Sequence, residues 1–511
     1  MDQRLLPISN RGMWGFFMWT VRPTAIEVFA LAALALMGCA THEPVTAMPA
    51  HPDLAPQAQA RRADAIALDA STIKPMHQEL LAIDLPTIVR VAAADNIAIR
   101  QARLDVDASR GRLDSRIGSA FPALAPTALF EIVDGNVRAT QGNIVDVGFK
   151  TFHLFLAVEW VINPGRVYYE IVAAKKRLAA SEHQERTVTI QTLHDAVNQY
   201  YDLALAQAQV AVAEKSLDEA KELLRINELR LRTGVGVPAD KLRAEANLAE
   251  RQQDLLNAMN RFYRASVALA VTLRLDAAVT LIPKVSELRR TTLVRDDLTI
   301  DDLAGLAMRF RPDLQGIRSV VEAVGADRGS AWWGGFGPQF QTVYLIGGIE
   351  GHDVQNVESI ENRTGFNHQQ RFVVGSGLRL SAATFGNLRT ADAVIEQTVL
   401  EAERVQEEVK SQVVTALQNS RTTYQLIDLA WQQVQAAQEA LRLTQTNLTA
   451  GTMTTLDVLQ SEDALARARL RHTGAVVGYN QSQVDLLTAL GLIDEHGLGL
   501  SIPEEGPEPH R

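Results

Sequence analysis

An order-preserving duplication constrains this chain more than any other feature. Residues 84–103 (DLPTIVRVAAADNIAIRQAR) align with 299–318 (TIDDLAGLAMRFRPDLQGIR), which places Asn96-Ile97-Ala98-Ile99 over Arg311-Pro312-Asp313-Leu314, 215 positions on. Asn163-Pro164-Gly165-Arg166 falls on Thr384-Phe385-Gly386-Asn387, 221 positions on, and Arg232-Thr233-Gly234 falls on Thr449-Ala450-Gly451, 217 on. The last shift also carries Asp240 to Asp457, Leu242 to Leu459 and Leu248 to Leu465. A solenoid unit repeats every ~20–50 residues, so a period this long means that a multi-element unit was duplicated. The first repeat is read as 81–298 and the second as 299–495.

Within each repeat the sharpest periodicity precedes a glycine. Leu203, Val210, Leu217, Leu224 and Leu231 stand seven apart, with Ala206, Ala213 and Ala220 three residues on. Ile427, Val434, Leu441 and Leu448, with Ala430 and Ala437, repeat the pattern in register with the first copy. A large residue at one seam position and alanine at the other lets helix axes approach closely, as in a coiled coil. A generic helical bundle is the plainer reading; the matched register favours two equivalent hairpins. The 66 residues from Arg166 to Leu231 contain no proline, enough for a helix of about 100 Å. After Pro238 a return helix to about Leu275 spans roughly 57 Å, and one from about Asp84 to Ile117 roughly 50 Å. A long helix is then matched by two shorter ones stacked end to end, a spanning rod.

Two strand candidates stand between the short and the long helix of each repeat. Phe152, Leu154, Leu156, Val158 and Trp160 alternate with Thr151, His153, Phe155, Ala157 and Glu159; residues 339–350 and 371–384 alternate in the second repeat. One apolar face and one polar or small face is the pattern of a barrel that faces lipid outside and water inside. Residues 122–133 form the weaker strand, because Pro126 interrupts it and implies a bulge or an edge. Polar segments 134–146 and 351–370 read as outward loops. Four strands cannot close a barrel, and an open edge is forbidden in lipid. Three copies supply twelve strands; two would make only a narrow, filled eight-stranded barrel. The fold class expected is mainly α with transmembrane β: duplicated coiled-coil hairpins forming an α-barrel, plus four strands per chain in a trimeric twelve-stranded β-barrel.

The N-terminus carries Arg11 and Arg22 ahead of the apolar run 28–38 (VFALAALALMG), too short to span a membrane at ~18 residues or more but suited to a signal-peptide core. It ends at Cys39, the one cysteine of the chain. Residues 1–38 thus read as a lipoprotein signal peptide, with Met13 and Met18 as alternative starts, and Leu36-Met37-Gly38-Cys39 resembles a bacterial lipobox whose cysteine carries covalent lipid (palmitate). The plainer alternative is a small buried hydrophobe. No Asp follows Cys39, so the resemblance points to the outer membrane rather than retention at the inner one. Residues 39–80, with Pro44, Pro49, Pro52, Pro56 and Pro75, read as a lipidated tether without a core, and 496–511 as a tail.

Taken together, the duplicated elements, Arg311-Pro312-Asp313-Leu314 and the turns Arg232-Thr233-Gly234-Val235-Gly236 and Gly451-Thr452-Met453-Thr454-Thr455-Leu456-Asp457-Val458-Leu459 resemble the TolC and OprM family of outer-membrane efflux proteins over roughly residues 80 to 490. The lipobox resembles the family's lipoprotein branch. The resemblance implies a homotrimer in the outer membrane of a Gram-negative bacterium, extending into the periplasm. It would be the passive exit conduit of a tripartite system for drugs or metals, docked to a periplasmic adaptor (membrane fusion) protein and an inner-membrane pump of the resistance-nodulation-division type. Arg232, Thr233, Gly234, Gly451 and Thr452 would then be adaptor-contacting tips, and Asp457, with Gln460 three residues on, would line the aperture. Asp457 has a second reading as a helix cap, where a carboxylate is favoured; for Asp240 capping is the preferred one. The family's latch Arg and Tyr fall on Met453 and Leu448, and its second aperture Asp on Gln460, so closure is expected to use apolar contacts or another constriction.

Other classes fare worse. A net charge of −10 opposes nucleic-acid binding, which favours a basic surface. The 11 His residues form no HExxH or Cys/His cluster, there is no Walker A motif, and Gly375-Ser376-Gly377 lacks the flanks of a nucleophile elbow. No enzyme and no cofactor beyond the lipid on Cys39 are expected. Trp332 and Trp333 read as interfacial anchors or as junction packing. The exit duct of an ABC-type protein secretion system is a same-fold alternative; a structural coiled-coil lipoprotein bracing the envelope is another class, which would need no strands.

Overall fold

A computed structural model describes residues 65–68, 73, 80–138, 142, 144–295, 297–353, 367–378, 380–494 and 498. They belong to one of the chain's two units, 50–511; the signal peptide and Cys39 lie outside the described residues. The first repeat runs α1 (Leu85–Asp95), α2 (Ile97–Gly118), β3 (Ala123–Arg138), β4 (Ile144–Ile162), α3 (Pro164–Arg232) and α4 (Pro238–Thr272). The second runs α5 (Ile300–Phe310), α6 (Pro312–Phe336), β7 (Pro338–Asp353), β8 (Asn367–Leu378), α7 (Ala383–Thr449) and α8 (Thr455–Leu490). Four short strands tie the segment before α1 to the connection between α4 and α5: β1 (Ala65–Ala67) pairs antiparallel with β6 (Glu287–Arg289), and β2 (Leu80–Ile83) parallel with β5 (Thr280–Pro283).

The helix expected over 84–117 is two helices. Asn96 leaves helical geometry at ψ 138°, and its side chain caps α2 by accepting from the Ala98 N–H at 2.8 Å. Arg311 occupies the duplicated position with ψ 120°, because the ring of Pro312 disfavours α geometry in the residue before it. One break is made by a cap and the other by a proline. The long helices have 69 and 67 residues and the return helices 35 and 36, about 100 Å against about 53 Å at 1.5 Å per residue.

The heptads are buried differently in the two copies. Ile427, Val434, Leu441 and Leu448 are all inside. In α3, Leu203 and Val210 are fully buried, whereas Leu217, Leu224 and Leu231 are only half-buried. Towards its C-terminal end α3 turns Ser216, Ala220, Leu223 and Asn227 inward instead, an i, i+4, i+7, i+11 stripe at ordinary helical spacing.

The strands form one antiparallel sheet in the order β3-β4-β7-β8, so the central β4–β7 pair joins the repeats. They depart from expectation at their ends. Residues 134–138 and 144–146 belong to β3 and β4 rather than to a loop, and 351–353 and 367–370 to β7 and β8; the middle of the second loop, 354–366, lies outside the described residues. Strand 371–384 stops at Leu378, and Thr384 is already helical. Pro126 sits in the edge strand β3 opposite Leu156, the kind of strand in which proline is tolerated. The tether reading of 39–80 is corrected at its end: Ala65–Ala67 is a strand, Leu68 is fully buried, and the Gln207 amide donates to its carbonyl. In the tail, Leu498 is likewise buried in the main core.

Candidate functional site

Two parts of the fold carry chemistry that a compact core does not need. The first is the sheet. Across the register Leu124, Val158, Tyr344 and Phe372 share a face, as do Pro126, Leu156, Ile346 and Gln370, and Phe130 with Phe152. On that face Leu124, Phe130, Phe152, Leu154, Leu156, Phe372 and Val374 are exposed. The other face holds Thr127, Glu131, Thr151, His153 and Glu159. His153 Nε2 lies 2.9 Å from Thr151 Oγ1 and 3.9 Å from the Glu131 carboxylate. Among the described residues neither β3 nor β8 has a partner on its outer edge. Trp333 packs against Gly165 and Gly337 at the helix–sheet junction, while Trp332 is 44% exposed and meets it edge-on. Junction packing therefore accounts for Trp333.

The second part is the far end of the two hairpins. Gly234 and Gly451 have φ of +77° and +80°, backbone that side chains with a Cβ rarely adopt; each reverses the chain after a long helix. Arg232, Thr233, Gly234, Gly451 and Thr452 are all exposed at these reversals. Thr233 Oγ1 returns to the carbonyls of Leu229 and Arg230, and the Thr452 N–H to that of Asn447 at 3.0 Å.

Asp457 completes a capping box. Its Oδ2 accepts from the Thr454 N–H at 2.9 Å and from the Thr454 hydroxyl at 2.7 Å, and these two bonds, the backbone one first, hold its carboxyl below the usual carboxylate range. Gln460 is exposed one turn on. Asp240 does not cap: the N-cap of α4 is Val237, without a side-chain bond, and Asp240 pairs with Arg243 at 3.3 Å. Leu448, at the family's latch position, is 1% exposed, and Met453 stands at the turn.

Sequence reading missed what ties the two hairpins together. The Arg230 guanidinium donates to the Leu448 carbonyl, and Thr455 Oγ1 donates to Asn227 Oδ1 at 2.8 Å with both residues buried. Further in, Arg469 of α8 forks onto Glu219 of α3 at 2.9 and 3.1 Å, and Asn247 of α4 donates to Glu462 of α8 at 3.1 Å. The available signal was a polar residue at a core-facing helical position, which a search for apolar seams discards. Among the described residues no set of three His, Cys, Asp or Glu is placed to hold a metal, and no helix is long and apolar enough to cross a membrane.

The geometry defines a class: a duplicated protein whose four-stranded, apolar-faced sheet runs directly into helical hairpins about 100 Å long. Its family follows from comparison. The model of the outer membrane efflux protein family matches residues 88–273 and 336–492, more than half of the chain, and the chain belongs to that family. It is 24% identical over 404 residues to the outer membrane efflux protein BepC of Brucella suis, covering 78% of this chain and 85% of that one. It is 23% identical over 326 residues to the pyoverdine export outer membrane protein OpmQ of Pseudomonas aeruginosa, covering 62% of this chain and 65% of that protein, slightly under two thirds of its length. Among solved structures, the outer-membrane channel OprN superposes with a TM-score of 0.69 at 20% identity, covering 86% of this chain and 99% of that one. VceC of Vibrio cholerae superposes at 0.67 and 19% identity, covering 80% and 96%. At these identities the superpositions speak for the fold.

Proposed function

We propose that three copies of this chain close a twelve-stranded barrel in the outer membrane of a Gram-negative bacterium, continued by an α-barrel into the periplasm. The chain is the passive exit conduit for small molecules in a tripartite efflux system, meeting a periplasmic adaptor at Arg232, Thr233, Gly234, Gly451 and Thr452 and served by an inner-membrane pump. One observation carries this reading: a sheet whose outer edges are both unpaired among the described residues, with an exposed apolar face, cannot persist in lipid unless further strands close it.

Purified full-length protein in planar bilayers is expected to conduct. Complete absence of pores removes the conduit reading. If three Asp457 carboxylates line the aperture, Asp457→Asn lowers the ratio of cation to anion permeability, since a ring of like charge concentrates counter-ions. An unchanged ratio with reduced stability leaves Asp457 with capping alone.

Cys39 is proposed as the lipid anchor, supported by its place after the apolar run 28–38. Cys39→Ser is expected to lose the lipid mass in mass spectrometry while part of the protein still inserts through its sheet. An unchanged mass refutes lipidation, and complete loss of outer-membrane protein makes lipid-dependent delivery the main role of Cys39.

A further inference from the structure

Seven residues into α8, Glu462 occupies a position that a coiled coil normally gives to an apolar residue. Val458 and Leu465, one turn to either side, are 0% and 1% exposed, and Glu462 itself is 4% exposed. Its Oε2 accepts one bond, from the Asn247 amide of α4 at 3.1 Å, and its Oε1 has no hydrogen-bond partner among the described residues. Each element packed around it is accounted for. From α3 comes Glu219, whose two oxygens are engaged by Arg469. From α4 come Asn247 and Arg251, and Arg251 is shared between Asp254 and Asp463. From α7 the same cluster receives Leu441, while the nearby Glu439 and Arg442 pair with each other at the surface at 2.6 Å. Among the described residues no cation bonds to Glu462, and Arg251 and Arg469 are committed to other carboxylates.

We propose that Glu462 is a proton-operated clasp between the two hairpins. Protonated, it lies uncharged in the α3–α4–α8 seam and the hairpins stay together; ionised, it draws water into the seam and loosens it on the side of the hairpin ends. A half-unsatisfied carboxyl buried among apolar neighbours is stable only in the form that needs less solvation. Burial first, and then the Glu219 carboxylate, push the Glu462 carboxyl up from 4.5 to about 7. Because the folded value is the higher one, the folded chain binds more protons between those limits. The seam is therefore tightest below pH 4.5 and weakens as the pH rises to about 7, after which the penalty is constant. A second titratable pair, His194 with Asp485 at 2.7 Å, links α3 to α8 some 23 residues further along, about 35 Å away, and is untouched by changes at Glu462. The inference rests on the conduit reading only for its consequence, an entrance whose closure follows periplasmic pH.

The test is amide hydrogen exchange of the full chain in detergent, followed in the α4 and α8 segments around Asn247 and Glu462 and corrected for intrinsic pH dependence. Between pH 6 and pH 8, exchange there is expected to accelerate by roughly tenfold in the natural chain, from the one pH unit of linkage that falls in this interval. In Glu462→Gln, which keeps the shape and an oxygen for the Asn247 bond, the acceleration disappears. Glu219→Gln keeps Glu462 ionisable but removes the nearest like charge, and moves the midpoint to lower pH. A flat natural chain, an equal acceleration in Glu462→Gln, or a midpoint unmoved by Glu219→Gln each overturns the clasp. Pore formation is not read, so failure of the conduit reading and failure of the clasp remain separate results.

Discussion

Arg311→Ala is expected to destabilise the folded chain by about 1.5–3 kcal/mol, the scale of hydrogen bonds to a charged group lost from a part-buried ion pair. The side chain of Arg311 is 14% exposed and that of Asp313 24%. Its guanidinium forks onto Asp313 at 3.0 and 2.5 Å, donates to Gln412 of α7 at 2.6 Å, and reaches the Ala489 carbonyl of α8 at 3.3 Å. One side chain at the α5–α6 corner thereby holds both helices of the second hairpin. The same backbone contact explains why the chain after α8 turns with Gly491 at φ +74°, where a Cβ would stand 3.0 Å from the Arg311 Cα. Denaturant unfolding of the detergent-solubilised protein measures the loss. Arg311→Lys retains the charge but not the planar fork and should recover little. A loss below about 1 kcal/mol, the scale of an exposed pair, would mean that this corner is held by packing alone.

Gly165→Ala should act at the other end of the long helices. A Cβ on Gly165 would fall 1.9 Å from Cδ2 of Trp333, and one on Gly337 would meet the same indole at 2.5 Å. The ring is wedged between two backbones, and its own carbonyl accepts from the Asn163 side chain at 2.7 Å, so it has no room to retreat. Overpacking of this kind costs about 1–3 kcal/mol, with the overlap here at the upper end, against about 1 kcal/mol gained by replacing a helical glycine. The net expectation is a loss of about 2 kcal/mol. Trp333→Ala removes the obstacle, so the double variant Gly165→Ala/Trp333→Ala should be more stable than the sum of the single changes predicts. Additive losses would place the strain elsewhere.

How much of this was legible depended on whether a feature is local or shared between distant segments. The hairpins were legible because a period of seven and a glycine at the reversal act within a few turns of one helix. The strands were legible in type through alternation, but their lengths were not: residues 134–138 are polar or small and look like a loop, and only pairing with β4 keeps them extended. Asn96 gave no breaker signal comparable with Pro312. Its duplicated position was visible, but its cap geometry emerged only in the fold.

The candidate site divides in the same way. Arg232, Thr233, Gly234, Gly451 and Thr452 were legible as chain reversals, because a glycine after a long heptad run advertises a turn in sequence, and Thr454 with Asp457 forms a capping box that local spacing can encode. Glu462, Arg469 and Arg230 carry no local signal that sets them apart from the other charges on long polar helices.

By itself, then, the sequence determined the duplication, which is a property of the sequence alone, and the two hairpins and the alternating strands, which follow from patterns among residues a few positions apart. Tertiary structure decided which charges are buried. Glu219 meets Arg469 across 250 positions and Asn247 meets Glu462 across 215, and desolvation acts only once distant helices have excluded water from the seam between them.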